Sequence, residues 1–209
     1  MKIQEIISVL DALFPNPKTE LHYHNEFQLL IAIIMSAQTT DKQVNKVNEI
    51  FFTKFQTPRD LYLLWKEEIQ NIIQTIWIYK SKAKYIYSTA EMLYKQYNEI
   101  IPSEIQELQK FPWVWIKTAK VWLSIIKNQP YLAVDTHVHR VLNRLWIVHT
   151  KTPEETDKQA HKKLKKEDLV KLHHTLILFW RYYCIARNPK CEKCHFLKIC
   201  QYQMNIKKK

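Results

Sequence analysis

Apolar residues recur at helical spacing along almost the entire chain. Near its start they return every three or four residues, at Ile3, Ile6, Ile7, Leu10, Leu13 and Phe14. The strict alternation that is typical of strands is scarce. Further helices are predicted over residues 66–76, 80–97, 116–127, 136–145 and 168–184. The pattern therefore predicts an all-α protein of about ten helices.

The composition narrows the class of protein. The 209 residues are 46% apolar and 25% charged, which is typical of a globular chain and excludes a disordered or collagen-like one. No apolar stretch reaches the length of a bilayer span. Met1 and Lys2 lead directly into a mixed, helix-like segment, so we expect no secretory signal and a cytoplasmic protein.

The charge is strongly positive. The chain has 32 lysines and arginines against 20 aspartates and glutamates, a net charge of +12. This excess favours a polyanionic partner such as nucleic acid. AT-rich coding also raises the lysine content, so charge alone does not identify the partner.

Four cysteines near the C-terminus form a specific chemical pattern. Cys184, Cys191, Cys194 and Cys200 have the spacing C-x6-C-x2-C-x5-C. The two-residue gap between Cys191 and Cys194 lets both sulfurs face one metal centre. On chemistry alone, zinc and a [4Fe–4S] cluster both suit four thiolates at this spacing. Four inert buried thiols are the remaining alternative.

Two central segments carry a second pattern. Residues 111–119 read F-P-W-V-W-I-K-T-A, and residues 134–138 read V-D-T-H-V. With these segments the chain resembles the endonuclease III family of DNA glycosylases, whose hairpin reads L-P-G-V-G-x-K-T-A and whose second segment reads V-D-T-H. Residues 36–41 (S-A-Q-T-T-D) and 79–83 (Y-K-S-K-A) resemble further family motifs in the same order.

The resemblance implies a two-lobed, all-α, helix-hairpin-helix glycosylase fold. It assigns the four cysteines to a [4Fe–4S] cluster rather than to zinc. Residues 23–133 would form a helical-barrel lobe that carries the helix-hairpin-helix motif. Residues 1–22 and 134–209 would form the iron–sulfur lobe.

The resemblance also implies two catalytic residues. Lys117 would displace the damaged base, form a Schiff base with the opened sugar and allow β-elimination. Its position suits this role, because the positive end of a helix macrodipole favours a neutral, nucleophilic amine. Asp135 would deprotonate Lys117 or stabilise the oxocarbenium-like sugar. Without the resemblance, Lys117 is interpreted as a surface lysine and Asp135 as a plain N-cap.

Other residues are assigned to DNA binding by the same resemblance. Gln38 would fill the gap left by the flipped nucleotide, and Ile78 would wedge into the duplex from the minor groove. His137 would contact a phosphate or order Asp135, with a structural histidine as the alternative. Backbone amides of residues 113–117 would bind a phosphate. The full set comprises Gln38, Ile78, Lys80, Trp113, Val114, Trp115, Thr118 and His137.

The chain contains no glycine and seven tryptophans, although average usage would give about 15 glycines. Tryptophan stands where the family has glycine at positions 77, 113, 115, 146 and 180. Trp65 also fits a helix C-terminus, whereas Trp122 has no obvious glycine role. A left-handed residue other than glycine costs about 1–2 kcal/mol, and an indole in the hairpin would block a phosphate.

Our hypothesis is that these tryptophans are glycines in the natural protein. Some bacterial lineages read UGA as glycine, and another translation table reads it as tryptophan. The hypothesis predicts left-handed or strained backbone at several of Trp77, Trp113, Trp115 and Trp146. A truly tryptophan-substituted, inactive paralogue is the alternative.

Together, the resemblance and the residues that carry it imply a bifunctional DNA glycosylase and AP lyase. It would act as a monomer on oxidised pyrimidines or abasic sites in double-stranded DNA, in the cytoplasm at the nucleoid and away from membranes. The lysine at position 117 distinguishes this activity from that of monofunctional relatives, because relatives that excise adenine or mismatched thymine lack a lysine at this place. The alternatives are a non-catalytic DNA-binding iron–sulfur paralogue, a monofunctional glycosylase for another lesion, and a zinc-stabilised binding module.

Overall fold

The computed structural model describes residues 2–63 and 66–206. Every regular element among these residues is a helix, so the prediction of an all-α protein is confirmed. Trp65, which the sequence assigns to the end of a helix, lies outside the described residues. None of the described helices has the length and hydropathy needed to cross a bilayer. The chain divides into two compact units, the hairpin unit (Glu20–Lys127) and the cysteine unit (Met1–Thr19 with Asn128–Lys209).

The hairpin unit is built around one buried helix. Its described helices are α2 (Glu26–Ser36), α3 (Asp41–Lys54), α4 (Pro58–Leu63), α5 (Lys66–Ile72), α6 (Tyr79–Gln96), α7 (Ile105–Leu108) and α8 (Ile116–Ile126). Residues 27–35 of α2 are all buried, and a helix that is apolar on nearly all sides is typical of a core element. It packs against α3, α6 and α8. Trp122 of α8 is fully buried, and its indole N–H donates to the carbonyl of Glu26 at 2.9 Å.

The cysteine unit packs several helices around α9. Its described elements are α1 (Ile3–Leu13), α9 (Thr136–Arg144), α10 (Pro153–Lys163), α11 (Lys166–Tyr182), a 3-10 turn (Cys191–Lys193) and α12 (Gln201–Ile206). Helix α9 packs against α10, α11 and α12, and α1 packs against α11. The buried side chains between them include Leu10, Val141, Leu142, Leu172 and Leu176. This core positions the start of α9, which carries the V-D-T-H segment, and the end of α11, which leads to the first cysteine.

Candidate DNA-binding and catalytic residues

The hairpin between α7 and α8 is anchored by two buried side chains. Phe111 and Val114 are 2% and 3% exposed, and the backbone N–H of Val114 donates to the carbonyl of Phe111 at 3.1 Å. Between them, Trp113 has a φ of 66°, which lies in the left-handed region. Trp115 returns to extended backbone and is the N-cap residue of α8. The helix-hairpin-helix segment is therefore a tight turn followed directly by a helix start.

Two indoles pack beside this hairpin. The ring of Trp113 stacks on Tyr85 of α6 with a centroid distance of 4.9 Å and an interplanar angle of 16°. Trp115 meets Trp113 edge-on at 6.5 Å and is 65% exposed. Both side chains stand beside the backbone that the sequence assigns to a phosphate. A glycine at either position would leave that backbone open to close approach.

Lys117 lies in the first turn of α8 and its side chain is exposed. No side chain caps this helix start, because Trp115 has no group that accepts a hydrogen bond there. The partial positive charge of the macrodipole is concentrated at such an end, where it attracts anions. Thr118 follows as a half-buried residue.

Asp135 is the N-cap residue of α9. Its Oδ1 atom accepts hydrogen bonds from the backbone N–H groups of His137 at 2.9 Å and of Val138 at 2.8 Å. The side chain is half-buried. Asp135 therefore caps α9, and the two bonds fix the orientation of its carboxylate.

His137 is held between an indole and a guanidinium. Its ring stacks on Trp180 with a centroid distance of 3.9 Å and an interplanar angle of 10°. The Nη1 atom of Arg140 lies 3.3 Å from His137 Nδ1, and Arg140 Nη2 donates to the carbonyl of Cys184 at 3.1 Å. Burial lowers the pKa of Arg140, and the nearby charge of Arg144 lowers it further. Arg140 therefore connects the V-D-T-H segment with the cysteine loop.

The four cysteines are free thiols that face a common region. Burial raises the pKa of the Cys194 thiol, and the other three cysteines raise it further. Arg144 Nη1 donates to Cys184 Sγ at 3.2 Å. Among the described side chains, no three His, Cys, Asp or Glu groups are placed to hold a single metal ion.

Gln38 and Ile78 lie on two loops that line one surface groove of about 860 Å³. Both residues are exposed and left-handed, with φ of 58° at Gln38 and 49° at Ile78. Lys80, exposed in the first turn of α6, lines the same groove. Three residues that the sequence assigns to DNA binding are therefore brought together in the hairpin unit.

Two hydrogen bonds join the loop of Gln38 and the start of α3 to the turn before α6. The backbone N–H of Trp77 donates to Thr39 Oγ1 at 3.3 Å, and Gln43 Nε2 donates to Thr75 Oγ1 at 2.7 Å. Neither bond follows from the sequence pattern, because each links residues more than thirty positions apart.

Sequence reasoning missed Lys82, which is fully buried in α6. Its Nζ atom donates to the carbonyl of Met35 at 2.7 Å and also to the carbonyl of Ala37. Burial lowers its pKa to about 8. The helical period of the sequence indicated that Lys82 is buried, since residues 82, 86 and 93 share the inward face of α6. Arg140 and Arg144 were also missed, although both follow the V-D-T-H segment at helical spacing.

Comparisons with known proteins agree with this arrangement. The profile of a family described as HhH-GPD superfamily base excision DNA repair protein matches residues 31–166. Endonuclease III of Rickettsia conorii (strain ATCC VR-613 / Malish 7) is 38% identical over 205 residues, which cover 98% of this chain and 98% of that relative.

Two solved structures are similar over nearly the whole chain. A non-covalent endonuclease III–DNA complex is 38% identical with a TM-score of 0.93, covering 99% of this chain and 97% of that one. A trapped endonuclease III–DNA covalent intermediate, the estranged-adenine complex, is 37% identical with a TM-score of 0.92 and covers 99% of both chains.

The fold and the matching profile define a helix-hairpin-helix protein of base excision DNA repair. Within this class, the chain belongs to the endonuclease III family of DNA glycosylases. The family that the hairpin, the V-D-T-H segment and the cysteine spacing predicted is thus confirmed.

Proposed function

We propose that this protein is a bifunctional DNA glycosylase and AP lyase that removes oxidised pyrimidines from duplex DNA. The observation that carries the proposal is Lys117, an exposed lysine in the first turn of α8 directly after the hairpin. A glycosylase that uses water needs no amine at this point, whereas β-elimination needs one. The solved relative trapped as a covalent endonuclease III–DNA intermediate supports the same chemistry.

The proposed reaction begins with the amine of Lys117. Neutral Nζ attacks C1′ of the damaged nucleotide while the N-glycosidic bond breaks, and the base leaves with the electron pair and takes up a proton. The nitrogen loses one proton. As the sugar ring opens, O4′ leaves with the C1′–O4′ electron pair and takes up a proton, which leaves a protonated Schiff base (iminium) between Nζ and C1′. The iminium acidifies C2′, so loss of a C2′ proton breaks the C3′–O bond and releases the 3′ phosphate. Hydrolysis then frees Lys117.

Asp135 would act as the base for Lys117 or as the stabiliser of the sugar cation. Its carboxylate is oriented by two backbone N–H donors of α9. A fixed anion stabilises developing positive charge without the energy of reorganising solvent. His137, stacked on Trp180 and bonded to Arg140, would hold this segment or contact a phosphate.

Binding to damaged double-stranded DNA would use the groove of the hairpin unit and the start of α8. Ile78, 41% exposed in a left-handed turn, presents the apolar side chain that a wedge requires. Gln38 on the neighbouring loop offers an amide that can pair with an unpaired base. The backbone around Trp113, Val114 and Trp115 and the side chain of Thr118 would bind a phosphate at the helix start. The protein would act as a monomer, in the cytoplasm at the nucleoid.

The four cysteines fit a [4Fe–4S] cluster. The other three cysteines lie close enough to Cys194 to raise the pKa of its thiol, and four thiolates are the usual ligands of such a cluster. The spacing C-x6-C-x2-C-x5-C also matches that of the endonuclease III family, to which the chain belongs. Cys184, Cys191, Cys194 and Cys200 would hold the cluster. When bound, it would cross-link the loop after α11, and none of the steps above uses it.

We further propose that glycine occupies several of the tryptophan positions in the natural protein. Trp146 supports this proposal, because its φ is 60° at the C-terminus of α9. The N–H of Ile147 donates to the carbonyl of Leu142 at 3.0 Å, and that of Trp146 to Asn143 at 3.1 Å. This is a Schellman motif, in which glycine is the usual left-handed residue.

The other tryptophans differ in their geometry. Trp113 is left-handed, whereas Trp115 is extended, and the described left-handed residue beside Trp77 is Ile78. At Trp115 the φ angle does not require glycine. Glycine is expected there because a side chain would block the close approach of a phosphate to the backbone. Trp122 is an exception, because its indole is fully buried and donates to the carbonyl of Glu26.

The proposal is tested by measuring base release and strand cleavage separately. The substrate is a duplex with one thymine glycol, and the gene encodes glycine at positions 77, 113, 115 and 146. Base release is read as alkali-labile strand breaks, and β-elimination as breaks without alkali. Lys117→Arg should retain DNA binding, because it keeps the charge, but should lose both activities. Cleavage by Lys117→Arg at the parent rate would overturn the proposed function.

A further inference from the structure

A buried ammonium connects the two loops that line the groove of the hairpin unit. We propose that Lys82 is a positioning residue, which holds the loop of Gln38 and the turn of Ile78 as one rigid element that enters the duplex. The inference rests on the proposed function, because it concerns two residues that the proposal assigns to DNA.

The side chain of Lys82 completes the end of α2. Helix α2 ends at Ser36, and its last carbonyl groups have no partners within the helix. Lys82 Nζ donates to the carbonyl of Met35 at 2.7 Å and to that of Ala37, and it lies 3.4 Å from Thr39 Oγ1. No basic residue stands in the last turn of α2, so this ammonium supplies the positive charge that favours a helix C-terminus. The loop that carries Gln38 is thereby fixed on both sides of that residue.

Thr39 extends this contact to the second loop. Ile78 is the N-cap residue of α6, and the backbone N–H of Lys82 makes the ordinary first-turn hydrogen bond to its carbonyl at 3.1 Å, as any residue at position 82 would. Thr39 Oγ1, which lies beside the ammonium, accepts a second hydrogen bond from the N–H of Trp77 at 3.3 Å. Lys82 and Thr39 therefore form a bridge whose two ends are the carbonyl of Ala37, directly before Gln38, and the N–H of Trp77, directly before Ile78.

The two loops need such a bridge because both are strained. Gln38 and Ile78 have φ of 58° and 49°, and a left-handed conformation is especially unfavourable for a β-branched residue such as isoleucine. Strained residues of this kind persist only where the surroundings hold them. A methionine of similar length would fill the space of Lys82 without desolvating a charge, so packing alone does not require a lysine here. The lysine supplies hydrogen-bond donors at a position where two DNA-contact residues must keep unfavourable backbone angles.

The experiment compares Lys82→Met with Lys84→Met, a matched change of an exposed lysine on the same helix. Affinity is measured for a duplex with a tetrahydrofuran abasic site and for an undamaged duplex. Lys82→Met should lower the affinity for the abasic duplex by about tenfold, because the buried carbonyl groups lose their hydrogen-bond donor. The affinity for the undamaged duplex should not change. Lys84→Met should change both affinities by less than about twofold.

A double-mutant cycle separates positioning from general destabilisation. If Lys82 acts through Gln38 and Ile78, then Lys82→Met should cost almost no further affinity for the abasic duplex in a Gln38→Ala/Ile78→Ala background. Additive losses of affinity for the abasic duplex would overturn the inference. A folded Lys82→Met protein that binds the abasic duplex with the parent affinity would also overturn it. If Lys82→Met does not fold, Thr39→Val tests the bridge instead, since it removes the shared acceptor with little change in volume. A parent affinity for the abasic duplex in Thr39→Val would then overturn the inference.

The failure of this inference differs from a failure of the proposed function. If the parent protein prefers the abasic duplex and Lys82→Met keeps that preference, the result contradicts only the role of Lys82. A parent protein that does not distinguish the two duplexes contradicts the proposed function itself.

Discussion

The Oδ1 atom of Asp135 and the backbone nitrogen of Val138 lie 2.8 Å apart, and the same oxygen accepts a second hydrogen bond from the N–H of His137. This single atom caps α9. A carboxylate that has a structural and a proposed chemical role can be tested for each separately, because asparagine caps a helix about as well as aspartate.

Asp135→Asn should lose activity without losing stability. The amide oxygen keeps the cap, so the free energy of unfolding should stay within about 0.5 kcal/mol of the parent, whereas Asp135→Ala should lose about 1 kcal/mol. Single-turnover base release should fall by about 10²–10⁴-fold in both variants, because the anionic charge is gone. Denaturant titration and excision kinetics make the two measurements. Base release by Asp135→Asn at the parent rate would contradict the catalytic role of Asp135 and leave it only the structural role of a helix cap.

Removal of one cysteine should remove the iron. Protein purified without oxygen should be brown and contain iron and acid-labile sulfide in equal amounts, since a [4Fe–4S] cluster has both. Cys194→Ala should lose the colour and make the loop after α11 sensitive to protease. Glu192→Gln, an exposed change in the 3-10 turn directly before Cys194, should retain both properties. Zinc in place of iron in the parent protein would contradict the cluster.

Stability should decrease in acid because of His174. Burial in α11 lowers the pKa of His174 from 6.5 to about 4. The unfolded chain therefore binds more protons between these values, so this contribution to stability is complete above pH 6.5 and is lost as the pH falls towards 4. The loss should approach about 3 kcal/mol, and His174→Gln should not show it. Parallel curves of unfolding free energy against pH for the two proteins would contradict the assignment.

Glycine should stabilise the protein at Trp146 and destabilise it at Trp122. At Trp146 the change removes a left-handed aromatic residue and should increase the free energy of unfolding by about 1 kcal/mol. Trp122→Gly removes a fully buried indole and should cost about 3–5 kcal/mol. The gene should accordingly have UGA at positions 113 and 146 and UGG at 122. UGG at positions 77, 113, 115 and 146 would rule out the glycine hypothesis.

The helical framework could be predicted from the sequence because apolar period and helix ends are local properties. The predicted helix over residues 80–97 is α6 (Tyr79–Gln96), and that over 136–145 is α9 (Thr136–Arg144). Helix α5 instead ends at Ile72, earlier than the predicted residue 76, because the following residues form turns that lead to Ile78. The periodicity continues through Ile73 and Ile76, which are buried outside the helix, so pattern alone could not find this end.

Sequence reasoning found functional residues where the resemblance gave them a role or where local structure alone determined it, and presence in a matching segment was not enough. Asp135 could be assigned as an N-cap because capping depends on the next few residues. Lys82 could not, since its partners Met35 and Ala37 are more than forty positions away and only the folded chain brings them together. Left-handed backbone was predicted at several of Trp77, Trp113, Trp115 and Trp146. It occurs at Trp113 and Trp146, and in the turn at Trp77 the left-handed residue is Ile78, because a motif locates a turn more accurately than the residue that carries its positive φ.

The most direct test of the account is borohydride trapping on a duplex with one thymine glycol, followed by peptide mapping of the adduct. The protein carries glycine at positions 77, 113, 115 and 146, and Lys117→Arg is the matched control. Reduction should capture the Schiff base as a stable link between the sugar and Lys117, and Lys117→Arg should give no adduct. Base release by the parent protein without an adduct, or an adduct on a different lysine, would contradict the central role of Lys117.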